Sequence, residues 1–292
     1  MRDREPTVRS RELGEGLSRV LEQAGLTGQQ AAYLLGCSPS RVSRLLSGKR
    51  GGSEVDVAAF LGVCRVKVPE RDQLLTLCRA QHTPGWLQQH SDRPPKQVLA
   101  TLIDLENKAV AISNFEAIVV PGLLQTADYA RALISRSGNV PAGKVEDRVT
   151  ARLARRVLFS QERPARFTFF IHEFVLRTPV GGPTAMSDQL HHLLQMSVRS
   201  YLTLRVVPAS LGAHAAMAGA FTFLEFAEFR PVAYLESTMA SLFLELPEEI
   251  ATYRSILAAL AATALGEEES RELIATLATE LYADREDHDE RA

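Results

Sequence analysis

The stretch LTGQQAAYLLGCSPSRVSRLLSGKR, residues 26–50, decides the N-terminal fold. Thr27 is a helix N-cap with Gln30 at the capping-box position three residues later, and Gly36 ends that short helix. Ser38 and the proline after it start the next helix, because serine caps helix N-termini and proline suits their first turn. Two short helices joined by a tight, glycine-containing turn are typical of a helix-turn-helix.

The second of these helices has two faces. Val42 and Leu45 are apolar and three positions apart, so we expect them to face the core. In a helix-turn-helix the second helix enters the DNA major groove, and arginine and serine both read base edges there. The residues predicted on or beside the outward face are Ser40, Arg41, Ser43 and Arg44.

Charge is uneven along the chain, although the formal net charge is only −2. Residues 38–50 carry four basic and no acidic side chains, whereas residues 266–292 carry ten acidic side chains against three arginines. Ser38, Lys49 and Arg50 flank the second helix and suit phosphate contacts, which fix position rather than base sequence. We interpret residues 284–292 as a solvated acidic tail.

Residues 26–50 resemble the helix-turn-helix of Xre/Cro-type regulators, which are similar to phage repressors. The matching parts are Gly36–Arg44 and the Ser-Gly-Lys-Arg that follows. The resemblance implies binding of double-stranded DNA and regulation of transcription. In that family a glutamine commonly touches phosphate at the first position of the helix that here begins at Gly28. Gln29 stands one residue late and is taken as the corresponding contact.

The chain also resembles, over nearly its whole length, actinobacterial regulators of the WhiJ type. Pro84-Gly85-Trp86 and VVPGLLQTADYARALI at 119–134 are among the matching pieces. In that family an Xre-like domain precedes a C-terminal domain of unassigned chemistry. The resemblance therefore implies a regulator, often encoded beside small partner proteins, and supplies no effector and no catalytic residue.

Composition shifts predict how the chain is divided. Five short helices are expected in a DNA-binding domain at 1–82, followed by a Pro/Gly-rich linker at 83–96 and an α+β domain at 97–283 with a mainly antiparallel sheet. Beyond the linker, helices are predicted at 96–113, 126–136, 144–160, 184–197, 247–264 and 267–283. Aromatic and β-branched runs predict strands at 166–172, 202–207, 220–226, 231–236 and 242–246.

The segment VPGLLQTADYAR at 120–131 places polar side chains next to an apolar run. Small-ligand pockets combine an apolar lining with a few placed polar groups, so the segment is either a pocket wall or a structural corner. Three glutamates elsewhere are further candidates for such polar groups. The candidate ligand-binding residues are Glu116, Gln125, Tyr129, Arg131, Glu173 and Glu236.

Other chemistries have no signature in the sequence. No apolar run approaches the ~18–20 residues of a membrane helix, and three widely spaced cysteines make neither a disulfide framework nor a zinc site. His191 and His192 are adjacent and lack the spacing of the helical zinc motif. No phosphate-binding loop and no G-x-S-x-G nucleophile motif is present. We therefore expect no metal, no cofactor, no enzymatic activity and a cytoplasmic location.

These observations lead to one functional hypothesis and one alternative. The hypothesis is a DNA-binding regulator that acts as a homodimer, because DNA half-sites mirror two-fold protein symmetry, and whose C-terminal domain dimerises and senses a small ligand or partner protein. The alternative is a C-terminal domain that is purely an interaction module for a partner protein. A pocket with convergent polar groups favours a ligand, and a flat apolar patch favours a partner.

Overall fold

The computed structural model of the chain describes residues 7–48, 52–81, 86–89, 95–138, 140–237 and 240–289. They fall into two compact units. Unit 1 comprises Met1–Thr101, Glu228–Val232 and Met239–Ile250, and unit 2 comprises Leu102–Ala227, Ala233–Thr238 and Ala251–Ala292.

Unit 1 begins with the five helices that the sequence predicts. They are α1 (Val8–Gln23), α2 (Gly28–Leu34), α3 (Pro39–Leu46), α4 (Glu54–Val63) and α5 (Val68–Ala80). Thr27 caps α2 in a complete capping box with Gln30, as predicted. Gly36 has a φ of +62°, which glycine adopts at little cost, and so lets the chain turn sharply from α2 into α3. The core of this bundle includes Leu13, Leu17 and Phe60.

Unit 1 also takes in residues far from the first five helices. Strand β1 (Trp86–Gln89) pairs antiparallel with β7 (Ala240–Leu244). Glu245 is buried, and its carboxylate accepts a hydrogen bond of 2.9 Å from the backbone N–H of Val8, at the start of α1. The compact units thus differ from the predicted division, because the predicted linker at 83–96 contains β1 and a later segment completes unit 1.

The rest of the described chain is α+β. Its helices are α6 (Pro95–Lys108), α7 (Ala127–Arg136), α8 (Val145–Ala154), α9 (Glu173–Arg177), α10 (Pro183–Ser197), α11 (Pro247–Thr263) and α12 (Glu267–Asp289). Its strands are β2 (Ala111–Glu116), β3 (Arg166–His172), β4 (Leu202–Val207), β5 (Phe221–Glu225) and β6 (Val232–Glu236). The predicted fold class, a helical N-terminal part followed by an α+β part with a mainly antiparallel sheet, is confirmed.

The strands of unit 2 lie in the order β6-β5-β2-β3-β4. β2 pairs antiparallel with β5 and parallel with β3, and β3 pairs parallel with β4. Parallel neighbours need long crossover connections, and helices supply them here: α7 and α8 between β2 and β3, and α9 and α10 between β3 and β4. The parallel pairs are the part of the sheet that the sequence did not indicate.

The predicted helix at 96–113 is wrong at its C-terminal end, because α6 stops at Lys108 and β2 begins at Ala111. Ala111, Ile112 and Phe115 are all buried, and a strand in the middle of a sheet shows no simple alternation. The predicted helix at 144–160 is likewise α8 followed by a 3₁₀ turn at Arg155–Ser160. No helix in the described part of the chain is long and apolar enough to cross a bilayer.

Candidate nucleic-acid interface and polar cavity

The exposed face of α3 carries the predicted DNA-reading residues. Val42 and Leu45 are buried, as predicted, and pack into the core of the helical bundle. The opposite face is exposed at Ser40, Arg41, Ser43 and Arg44. The helical period alone therefore separates an anchoring face from a polar face on this short helix.

Two close backbone approaches seat α3 against α1. A Cβ added at Gly14 of α1 would lie 2.5 Å from the carbonyl oxygen of Leu46, at the end of α3. A Cβ at Gly48, just after α3, would lie 2.5 Å from the carbonyl oxygen of Ser10. Any larger residue at either position forces the two segments apart, so these glycines fix how the polar face of α3 is presented.

The two arginines of α3 have different surroundings. Arg41 donates from Nη2 to Oδ1 of Asp56 at 2.7 Å, and Asp56 also completes the capping box of α4 with Ser53. This side-chain hydrogen bond, with the charge of Arg41, lowers the pKa of Asp56 below its usual value. Arg44 forms no ion pair with any residue in the described ranges. Arg44 is therefore the cation of α3 that no carboxylate neutralises there.

The other predicted DNA contacts surround α3. Gln29 is exposed in the first turn of α2. Ser38 is the N-cap of α3 by position, yet its hydroxyl lies 3.1 Å from the hydroxyl of Ser40 rather than on a backbone N–H. Lys49 and Arg50 lie outside the described residues.

Unit 2 contains a cavity of about 180 Å³, called here the polar cavity. Ile112, Asn114 and Glu116 of β2 line it together, because alternate residues of a strand share one face. The turn after β2, helices α6, α7 and α8, the 3₁₀ turn at Arg155–Ser160, and strands β3, β5 and β6 supply the remaining walls. The polar lining residues are Glu106, Asn114, Glu116, Gln125, Arg152, Arg155, Thr222, Tyr234 and Glu236.

Three of the six predicted ligand-binding residues line this cavity: Glu116, Gln125 and Glu236. Tyr129 is fully buried, and its hydroxyl accepts a 3.0 Å hydrogen bond from the backbone N–H of Val120, so it supports the wall rather than lining it.

The other two predicted ligand-binding residues, Arg131 and Glu173, are not among the residues that line this cavity. Arg131 is on the exposed side of α7, where it pairs with Asp128 and Glu146. Glu173 accepts hydrogen bonds from Arg177 and from the backbone N–H of Ala209. Both side chains are polar and near apolar segments in the sequence, but their helices turn them away from the cavity.

A buried ion pair forms one side of the polar cavity. Arg155 donates two hydrogen bonds to the carboxylate of Glu106, one of them 3.0 Å from Nε to Oε2. The side chains are only 14% and 2% exposed, respectively. Burial alone would lower the pKa of Arg155, but the Glu106 carboxylate outweighs it and raises that pKa. The ion pair thus consists of two oppositely charged groups and has no net charge.

Gln125 links the turn after β2 to α8. Its Nε2 donates to the carbonyl oxygen of Val120 at 2.7 Å, and its Oε1 accepts from Nη1 of Arg152 at 2.7 Å. Both ends of the amide are therefore used within the protein. Gln125 positions the Arg152 guanidinium at the cavity wall.

The two ends of the Asn114 amide differ in their hydrogen bonding. Its Nδ2 donates to the carbonyl oxygen of Phe221 at 2.9 Å and to Oγ1 of Thr222 at 3.1 Å, which fixes the orientation of the amide. Its Oδ1 is buried and receives no hydrogen bond from any residue in the described ranges, although the side chain is only 7% exposed. An unmet buried acceptor costs about 1–3 kcal/mol.

Glu116 lies next to Asn114 on the same face of β2 and has a perturbed acidity. Burial raises the pKa of its carboxyl to about 7. The nearby carboxylate of Glu236 adds to the increase, while Asn114 and the Arg152 guanidinium oppose it. The group is therefore half protonated near neutral pH.

Sequence patterns do not identify Glu106, Asn114, Arg152 or Arg155 as cavity residues. Arg152 and Arg155 are three apart in an arginine-rich helical stretch, a pattern typical of a solvated face. Asn114 directly follows the predicted helix at 96–113, and no strand was predicted there. The pairing of β2 with β5 sets Asn114 opposite Thr222.

Family models match two parts of the chain. A helix-turn-helix domain matches residues 12–74, which include α2, α3 and the turn between them. A domain of unknown function, DUF5753, matches residues 99–276, more than half of the chain. The chain belongs to the DUF5753 family. All residues that line the polar cavity lie within its DUF5753 region.

The helix-turn-helix match suggests a DNA-binding regulator, while the DUF5753 match carries no assigned function. No curated protein and no solved structure is similar enough to be matched to this chain.

Proposed function

We propose that this DUF5753 protein is a sequence-specific transcription regulator of the Xre type, similar to the WhiJ-type regulators, that binds double-stranded DNA as a homodimer. The single observation that carries the proposal is the divided surface of α3. Its apolar face is anchored in the bundle, while Ser40, Arg41, Ser43 and Arg44 stand exposed on a helix seated by close backbone contacts. A cytoplasmic location follows from the DNA-binding role.

The proposed contacts divide by function. Arg44 and Ser40 are neighbours one helical turn apart, and they read base edges. Arg41, held by Asp56, lies at the edge of this face and contacts the phosphate backbone together with Gln29, Ser38, Lys49 and Arg50. Ser43 lies beside the arginines. It contacts either a base edge or a phosphate, according to how deep α3 enters the groove.

The proposed role of the DUF5753 region is to bind a small ligand and so change operator affinity. The polar cavity supports this role, because polar groups from several elements converge on it and apolar side chains complete its lining. A ligand shifts affinity for DNA only by as much as it prefers one protein state over the other. In the alternative, a partner protein on the surface of the DUF5753 region supplies that preference.

Mapping of DNA bound by the full chain in its host, followed by binding isotherms on the recovered sequence, tests the proposal. We expect at least ~10³-fold tighter binding to the recovered sequence than to a scrambled one at the same salt concentration. Two half-sites about one helical turn apart, with two chains bound, are expected for a dimer. Equal binding to both sequences contradicts sequence-specific regulation, and one chain per site contradicts the dimer.

A further inference from the structure

We propose that unit 2 binds a second copy of this chain through the surface formed by the segments that follow β2, β3 and β4. Ile118, Phe174 and Met217 lie in these segments and are called here the apolar edge. The second chain presents the same surface, related by a two-fold axis. The inference deepens the proposed homodimer, on which it rests, by assigning the contact between its two chains.

The apolar edge exposes three large side chains to water. Ile118 is 70% exposed, Phe174 55% and Met217 67%. Single apolar residues scattered over a surface are common, but a monomeric protein rarely leaves a contiguous patch of them uncovered. The proximity of the three residues therefore decides whether they form one surface.

A stack of three rings holds the three segments together. β2 is parallel to β3, and β3 to β4, so the segments that follow them leave the sheet on the same side. The ring centroid of His214 lies 5.4 Å from that of Phe115 and 5.7 Å from that of His172. Each residue of the apolar edge follows one of these rings by two or three positions, so the three residues stand on neighbouring loops.

Hydrogen bonds fix the segments after β3 and β4. Nδ1 of His172 accepts from the backbone N–H of Phe174 at 3.1 Å. Oε2 of Glu173 accepts from the backbone N–H of Ala209 at 2.9 Å, and so ties the segment after β3 to the segment after β4. Because the surface is already ordered, little conformational entropy is lost when a second chain binds to it.

The charge of the surface identifies its occupant. Residues 117–127 and 206–224 contain no aspartate, glutamate, lysine or arginine, and residues 173–187 hold a single pair of opposite charges, Glu173 and Arg177, 2.7 Å apart. At a two-fold contact a surface faces its own copy, so a net charge would meet its own sign. A different partner is commonly selected by complementary charge, which this surface does not offer. A second copy of the chain is therefore the occupant that it fits.

The extent of the surface is adequate for a dimer. A stable interface takes roughly 20–30 residues from each side. The segments at 117–124, 174–182 and 208–220 together supply a comparable number.

Sedimentation velocity of the full chain without DNA, at ~0.1 to 100 µM, tests the proposal, and we expect a dimer with a Kd in the micromolar range or tighter. Met217→Lys and Met217→Glu should each weaken dimerisation at least ~10-fold, because like charges then face each other. Val198→Lys and Val198→Glu are the matched controls, since Val198 is 72% exposed and precedes β4, at the opposite end of that strand. They should dimerise as the parent chain does. Circular dichroism checks that every variant is folded.

Mixtures test whether the second chain presents the same surface. Met217→Lys mixed with Met217→Glu, or with Ile118→Glu, should associate at least ~10-fold more tightly than any of these variants alone, because opposite charges then meet. Failure of both mixtures to recover association contradicts the two-fold arrangement. A parent chain that stays monomeric, or Met217 variants that dimerise as the parent chain does, overturns the assignment of this surface.

Binding isotherms on the operator and on scrambled DNA separate this inference from the proposed function. A parent dimer that the Met217 variants leave intact refutes only the surface, and the proposed homodimer stands. A monomeric parent chain that still discriminates the operator refutes the dimer and leaves sequence-specific DNA binding standing. Loss of that discrimination in the parent chain refutes the proposed regulator, whatever its oligomeric state.

Discussion

The polar face of α3 and the polar cavity of unit 2 differ in how they are made. The face is local: its residues lie within a few positions of one another, stand in water and follow one helical period. The cavity gathers residues from Glu106 to Glu236, holds a buried ion pair and shifts the acidity of Glu116 to near neutral pH. Charges on the polar face of α3 are solvated, so a substitution there costs little folding free energy. Charges in the cavity are balanced by neighbouring groups of opposite charge.

The largest expected effect is on the buried pair. Glu106→Gln leaves the Arg155 guanidinium buried without its counter-ion, and should lower the free energy of unfolding of unit 2 by about 3–5 kcal/mol. Urea unfolding followed by circular dichroism measures it. The control Glu225→Gln breaks an exposed pair with Arg254 and should cost about 0–1 kcal/mol. A similarly small loss of unfolding free energy in both variants would show that the buried ion pair stabilises the protein no more than the exposed one.

The second prediction concerns the pH dependence of stability. The pKa of Glu116 is about 7 in the folded protein against an ordinary value of 4.5, so the folded state retains a proton that the unfolded chain releases. Its contribution to stability is therefore full below pH 4.5 and is lost as pH rises to about 7. Glu116→Gln lacks this loss and should be more stable than the parent chain above pH 7, by up to about 3 kcal/mol.

Unfolding in urea at half-unit steps from pH 5 to pH 8 provides the measurement, with the difference between the two chains plotted against pH. That difference cancels the groups that both chains share. A difference that stays constant over this range would mean that Glu116 titrates at its ordinary pKa.

The third prediction concerns base reading by α3. Arg44→Ala should cost roughly 1–3 kcal/mol on the operator and relax preference at one base pair, with little effect on random DNA. Arg71→Ala is the matched control, because it removes the same charge from an exposed position on α5. Equal losses on operator and random DNA would show that Arg44 contacts only phosphate.

The smallest expected effect is at the edge of the same face. Asp56→Asn retains an acceptor for the α4 capping box but removes the charge that holds Arg41. Binding to all DNA sequences should strengthen a few-fold, and the slope of log K against log salt should steepen by about one unit. Titrations at several salt concentrations measure the slope, and an unchanged slope would show that Asp56 leaves Arg41 available already.

The contrast also explains what was predictable. The capping box at Thr27, the turn at Gly36 and the inward side chains of Val42 and Leu45 depend on neighbours within a few positions, so the sequence displays them directly. The cavity depends on strand pairing, which the sequence does not display. The first half of β2 was predicted as the end of the helix at 96–113 because a central strand lacks alternation, and no strand was predicted at Asn114.

The hydrogen bond from Val8 to Glu245 has a consequence for synthesis of the protein. The two residues are 237 positions apart, yet both belong to unit 1. At the usual ~5–20 residues per second, a ribosome needs roughly 10–50 s to reach Glu245 after it has made the start of α1. A nascent chain that already carries the whole helix-turn-helix thus lacks the buried carboxylate that holds its first helix. The DNA-reading unit therefore becomes fully stable only after translation has passed β7.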